Sequence, residues 1–181
     1  MPQDNLDRLK RLSRLLYGFS YALIVVLVVV GVVLAVMVAV DATVVCDLYP
    51  GIARDPALVS APVGFASVAL AWISLGLMIH AIVCLMRMFA LFGDGRVFDP
   101  QAAFWMRRAG ITLFILAIYS TFGRTLTILL LSLANPAGER QLSIGFEGVQ
   151  LLSVFVAGVF VLVAHALVIG GEIERENRSI V

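Results

Sequence analysis

Charge is scarce in this sequence. Asp, Glu, Lys and Arg make up 14% of its 181 residues, where about 25% is usual for a soluble domain. So little charge excludes an ordinary cytosolic enzyme and a disordered chain. Cysteine is scarce too. Cys46 and Cys84 are the only two, too few for the disulfide framework of a secreted module. Neither sign of charge dominates. Thirteen basic and twelve acidic residues leave a net charge of +1, so no basic field is present to attract nucleic acid. Direct nucleic-acid binding is not expected. The chain also lacks a nucleophile elbow, a phosphate-binding glycine loop and an HExxH pair. No pair of carboxylates falls inside an apolar run. These absences leave no reaction to assign.

What the chain has is apolar length. It is 61% hydrophobic, with a mean hydropathy of +1.03. About 20 apolar residues cross a bilayer as a helix. Four runs qualify, at about 15–40, 62–86, 109–133 and 149–170. The first is rich in valine (Val28, Val29, Val30, Val32, Val33), which favours strand in water. In lipid an isolated segment satisfies its backbone only as a helix. The expected fold is all-α: one domain over 1–181, a polytopic four-helix bundle of transmembrane helices in the lipid bilayer. The uncharged run from Leu15 to Val40 is too long for a signal-peptide core of about 7–15 residues. Thr43-Val44-Val45-Cys46 is a poor lipoprotein box. The first run is therefore read as a retained span.

Basic residues set the orientation. Arg8, Lys10, Arg11 and Arg14 precede the first span. Arg87, Arg96, Arg107 and Arg108 lie between the second and third, and Arg175 and Arg178 follow the fourth. The opposite side holds only Arg54 and Arg140. Ten against two places both termini and the central loop of a multi-pass protein in the cytoplasm. The two outer loops are short and mildly acidic, with Asp41, Asp47 and Asp55 in the first and Glu139 and Glu147 in the second. The topology separates Cys46 and Cys84 to opposite ends of the membrane. Cys46 is read as a free small residue or as a bridge between chains.

Three polar residues lie inside the spans. Arg124 interrupts the third, about 25 Å along the helix from Arg107, in the outer part of the membrane. Two readings stand for it. One is snorkelling, or a structural pair with Asp41, Asp47 or Glu147. The other is an anion site flanked by Thr121, Thr125 and Thr127. His80 and His165 lie at similar depth near the cytoplasmic side. They read either as interhelical hydrogen-bonding groups or, with Cys84 one turn from His80, as ligands for haem or another metal. Small residues recur every four positions at Gly31, Ala35, Ala39 and at Ala166, Gly170. Such stripes mark close packing, within the chain or between copies in a homo-oligomer.

The cytoplasmic segments carry local signals. Leu6, Leu9, Leu12, Leu15 and Leu16, interleaved with basic residues, form an amphipathic stretch. It fits a helix lying on the inner membrane surface or an extension of the first span. In the central loop Gly93 and Gly95 supply a turn. Asp99 is placed as an N-cap with Pro100 at the first helical position. Trp105 stands in the interfacial belt beside Arg107 and Arg108. The Glu174–Arg178 spacing supports a helical tail.

Two of these segments carry a resemblance. Gly95 and Phe98 form a Gly-x-x-Phe pattern, and Arg107, Arg108 and Gly110 form an Arg-Arg-x-Gly opening to the third span. The tail Gly171-Glu172-Ile173-Glu174-Arg175-Glu176 is similar to a Gly-x-x-Leu-x-x-Glu ending, with Ile173 where Leu is typical. Together they resemble the YoaS-like group of bacterial four-helix membrane proteins, a family of unknown function. Its members are often encoded beside an Xre/Cro-type helix-turn-helix regulator. The resemblance implies a cytosolic DNA-binding partner held or released by the membrane protein. It implies a regulatory protein that is not an enzyme, with no catalytic residues and no cofactor, and with Gly95, Phe98, Arg107, Arg108, Glu172 and Glu176 as the partner-binding residues. The competing expectation is a redox or transport subunit that uses His80 and His165 for haem or metal, or Arg124 for an anion. A structural subunit of a larger complex is a third.

Overall fold

The computed structural model describes residues 3–50, 52, 59–133, 135–136 and 148–179, with the backbone alone for 3–6, 174 and 177–179. The chain forms five helices among these residues: α1 (Gln3–Val40), α2 (Val44–Leu48), α3 (Ala61–Gly93), α4 (Pro100–Ser132) and α5 (Gly148–Ser179). α1, α3, α4 and α5 are long and apolar enough to cross a membrane. Arg54, Asp55, Glu139, Arg140 and Glu147 lie outside the described residues.

Each long helix outruns its apolar segment, by seven to twelve residues, at one end of the molecule. α1 alone is about 57 Å long at 1.5 Å per residue, against a hydrocarbon core of about 30 Å. Hydropathy locates the lipid edge, but a helix stops where its backbone is capped. At that end α3 closes in a Schellman turn. The Arg96 amide donates to the Leu91 carbonyl at 2.9 Å and the Gly95 amide to Phe92 at 3.0 Å. Gly95 takes φ +78° there, a conformation open to glycine at little cost. α4 opens as its sequence predicts. The Asp99 side chain accepts from the Gln101 amide at 2.8 Å, with Pro100 in the first turn. The amphipathic N-terminal stretch is the extension of the first span, since α1 runs unbroken from Gln3.

The Gln101 amide holds the Asp99 carboxyl below the ordinary carboxylate range, and Arg96, its ion-pair partner, and Arg175 add to this. A depressed folded pKa means that the cap stabilises fully above the ordinary value of about 3.9 and is lost as pH falls through the folded one. The protection of the Gln101 amide against hydrogen exchange, taken relative to its intrinsic rate, should therefore fall on acidification towards pH 3. In Asp99→Asn, whose neutral amide oxygen still accepts, it should stay insensitive to pH once the intrinsic exchange rate is divided out.

The four spans pack in series. α1 lies on α3, α3 on α4 and α4 on α5, and no other pair of them makes an extensive interface among the described residues. The four helices are thus joined as an open row, without an extensive interface of α1 on α5 among the described residues. Small residues line the seams, as association in lipid favours. Ala81 and Cys84 on α3, Ala102, Ala109 and Gly110 on α4, and Ala157 and Ala164 on α5 are buried. Large apolar side chains face outward instead, with Phe122 and Leu162 each 70% exposed. That inversion suits a lipid solvent. Buried hydroxyls bond to carbonyls of their own helices: Thr112 to Arg108 at 2.9 Å, Thr121 to Ala117 at 3.1 Å and Thr127 to Gly123 at 3.0 Å. The Tyr119 hydroxyl crosses from α4 to the Leu70 carbonyl of α3 at 3.1 Å.

Two apolar clusters close the ends, labelled inner for the one beside the α3–α4 loop and outer for the one beside α2. The inner one joins Met88, Ala102, Met106 and Ala164 beneath Trp105 and Phe160. The outer one joins Val38, Val45, Cys46, Val59 and Leu131. α2, which the apolar pattern does not announce, brings Val45 and Cys46 into it. Asn135 donates to the Ile52 carbonyl at 2.9 Å and ties the two outer loops together.

Candidate functional site

The inner end gathers three stretches that are far apart in sequence. The first contact is Phe98 on α5. A Cβ at Gly170 would lie 2.9 Å from the Phe98 ring, and one at Gly171 would lie 2.9 Å from the Phe98 carbonyl oxygen. Glycine at both positions lets the loop seat on the tail. The second contact comes from α1. The Lys10 side chain lies 3.2 Å from a Cβ placed on Gly95, and that of Arg14 lies 4.0 Å from one on Gly93. The third is electrostatic, since Arg175 of the tail lowers the pKa of Asp99 in the loop.

The residues named by the resemblance fall into two groups here. Gly95, Phe98 and Gly110 build the assembly. Gly110 sits where α4 crosses α5, and a Cβ there would lie 2.9 Å from the Ala157 carbonyl oxygen. Arg107, Arg108, Glu172 and Glu176 are exposed. Arg107 lines a groove between α4 and α5 with Phe104 and His165. The Arg108 guanidinium lies 5.9 Å from the Trp105 ring centroid and 6.0 Å from that of Phe104. Arg87 from α3 comes closer to Trp105, at 4.3 Å, a stacking distance for a cation on an aromatic face. The sequence put Trp105 beside Arg107 and Arg108. Its tightest cation partner comes from the neighbouring helix, which chain adjacency does not reveal.

The two histidines occupy separate surroundings. His80 is half-buried on α3, with Nε2 3.7 Å from the Cys84 sulfur. His165 is exposed on α5, in the groove with Arg107. α4 packs between those two helices. No group of three His, Cys, Asp or Glu side chains comes together among the described residues, so the His80–Cys84–His165 set is not assembled. The two cysteines are free and buried. Cys46 is 8% exposed within the outer cluster, which leaves its sulfur badly placed for a bridge between chains. Burial also pushes its thiol pKa up, and Asp47 and Asp41 add to that.

Arg124 lies in a second setting, towards the outer end of α4. It is half-buried and lines a cleft of about 440 Å³ bounded by α1, α2, α3 and α4, with Gln150 of α5 at its rim. Of the three flanking threonines, Thr127 lines the cleft. Thr121 and Thr125 bond to their own helix, at 3.1 and 2.9 Å. Among the acids expected near it, Asp41 accepts from the Thr43 hydroxyl at 2.7 Å and the Thr43 amide at 2.9 Å. Those bonds hold its carboxyl below the ordinary range. The cleft has no counterpart in the sequence pattern. Its lining comes from five helices, and only Arg124 stands out along the chain.

No curated protein and no solved structure matches the chain. Residues 48–181 match the model of the family described as Protein of unknown function (DUF2975), a stretch that includes three of the four spans with the loop and tail that meet at the inner end, and the chain belongs to that family.

Proposed function

We propose that this chain is a non-enzymatic regulatory membrane protein whose loop-and-tail face binds a small helix-turn-helix transcription regulator. The observation that carries the reading is convergence. The α3–α4 loop, the end of α5 and the basic start of α1 meet at one end. They leave Arg107, Arg108, Glu172 and Glu176 exposed there. A face with both signs of charge favours a protein partner over a nucleic acid. The resemblance supplies the class of partner. The ten-to-two distribution of basic residues puts this face in the cytoplasm of a bacterial cell, with both termini on that side of the inner membrane. There it is within reach of a soluble DNA-binding protein.

Charge reversal tests the reading. In Arg107→Glu/Arg108→Glu, capture of a small helix-turn-helix regulator from the native host should weaken at least tenfold, equivalent to about 1.4 kcal/mol. The measurement is co-purification in mild detergent, with thermal unfolding of the membrane protein as the check on its integrity. Unchanged capture by a folded double variant overturns the assignment.

A further inference from the structure

We infer that the cleft beside Arg124 binds one anionic phospholipid of the surrounding bilayer, with its phosphate towards the guanidinium and its acyl chain in the groove between α1 and α3. The inference does not depend on the docking face, which lies at the other end of the spans.

Size, lining, charge and access argue together. At about 440 Å³ the cleft falls within the range of ligand sites, about 300–1,000 Å³. Its long walls are apolar, with Leu27, Gly31 and Leu34 on α1 facing Ala71, Trp72 and Leu75 on α3. Polar side chains enter from α4 and the start of α5 (Ser120, Arg124, Thr127 and Gln150) and from α3 (Ser67 and Ser74), and the charged one among them is Arg124. The Ser120 and Thr127 hydroxyls donate to carbonyls of their own helix, at 3.0 Å each. The guanidinium differs from them. It carries five N–H donors in a planar fork, so it can serve a phosphate oxygen alongside protein acceptors, and the fork matches phosphate geometry.

A cation within a span is costly and marks a functional site by default. An anionic headgroup adds charged acceptors to those the protein supplies, and a zwitterionic one attracts the guanidinium less. Depth fits as well. Arg124 stands eight residues before the end of α4, about 12 Å along the axis, and a guanidinium at that depth reaches the headgroup level by snorkelling. Access comes from the open row of helices. α1 flanks the cleft on one side and Gln150 of α5 stands on the other. Those two helices have no extensive interface among the described residues, so a lipid enters sideways. A free fatty acid offers the same anionic head and apolar tail. The bilayer source is favoured because every wall of the cleft belongs to a span or to the α2 segment that packs on the spans.

Native mass spectrometry of the full chain tests this, after exchange into detergent micelles containing dioleoyl phosphatidylglycerol or dioleoyl phosphatidylcholine. The wild type should retain one phosphatidylglycerol at least about tenfold better than phosphatidylcholine. Arg124→Gln should bring the two within about twofold, and Arg124→Lys should keep part of the preference. Ala71→Phe fills an exposed position of the groove and should lower retention of both lipids about fivefold, because it blocks the tail. Thermal unfolding separates loss of the site from loss of the fold. If Arg124→Gln does not fold, the lysine and Ala71→Phe variants carry the test. Equal retention of the two lipids overturns the inference, and so does an unchanged preference in folded Arg124→Gln. Oleate displacing phosphatidylglycerol at equal concentration, or a second copy of the chain filling the cleft, overturns the phospholipid assignment.

Discussion

Gly110→Val should loosen the crossing of α4 and α5 and cost stability at the upper end of about 1–3 kcal/mol. The reason is what the new side chain meets. A Cβ there would lie 2.9 Å from the Ala157 carbonyl oxygen, 3.1 Å from the Phe160 Cβ and 3.1 Å from a Val161 methyl. The first two are backbone or the root of a side chain, so no rotamer change clears them. The helices themselves must separate, and the inner cluster of Met106, Ala164 and Phe160 opens with them. The measurement is thermal unfolding in detergent, followed by far-ultraviolet circular dichroism. Gly158→Ala on the facing helix α5 is the control. A Cβ there meets nothing within 4 Å, and alanine is worth about 0.5–1 kcal/mol over glycine within a helix. That variant should match or exceed the wild type. If Gly110→Val unfolds with the wild type, the close crossing is not a source of stability.

Gly171→Val should unseat the tail from the loop. Its Cβ would lie 2.9 Å from the Phe98 carbonyl oxygen, again a backbone atom with nowhere to turn. The neighbouring Gly170→Ala provides a contrast, because its Cβ meets the edge of the Phe98 ring at 2.9 and 3.0 Å, and a ring can pivot. Hydrogen exchange across Arg96–Phe98 should rise at least about tenfold in Gly171→Val and much less in Gly170→Ala. On the proposed function, the regulator should be lost from Gly171→Val even though Arg107 and Arg108 are intact, since the proposed docking face needs loop and tail to be joined. If Gly171→Val still captures the regulator fully, tail seating is not required for docking.

These two positions show what local sequence can reveal. Gly110, Gly170 and Gly171 are visible as small residues in or beside spans, and such residues mark packing. What each packs against is not visible. Phe98 precedes Gly170 by more than seventy positions, and no periodicity connects them. Gly95 was more legible. A glycine just past an apolar helix predicts a left-handed turn, and the turn is there, with φ +78°. Asp99 and Pro100 were equally legible, because a cap depends on residues within three positions of it.

The histidines went the other way. His80 and His165 fall at similar depth, since depth follows from counting residues along a helix. Pairing them needs neighbouring helices, and α4 packs between α3 and α5. Arg124 lies between the two cases. The sequence marks it as a charge in an expensive place, but the cleft beside it takes shape only from five helices together.

By itself the sequence determined that this chain is all-helical, that four segments are long and apolar enough to cross a membrane, and where α3 ends and α4 begins. Those features follow from hydropathy and from backbone capping, both of which act over a few residues. Only the tertiary structure decided that the spans pack as an open row, that the loop seats on Gly170 and Gly171, and that Arg124 faces a cleft. Those features depend on which helix faces lie against each other, and in lipid that choice turns on shape at a few small residues more than on hydrophobicity, which all four spans share.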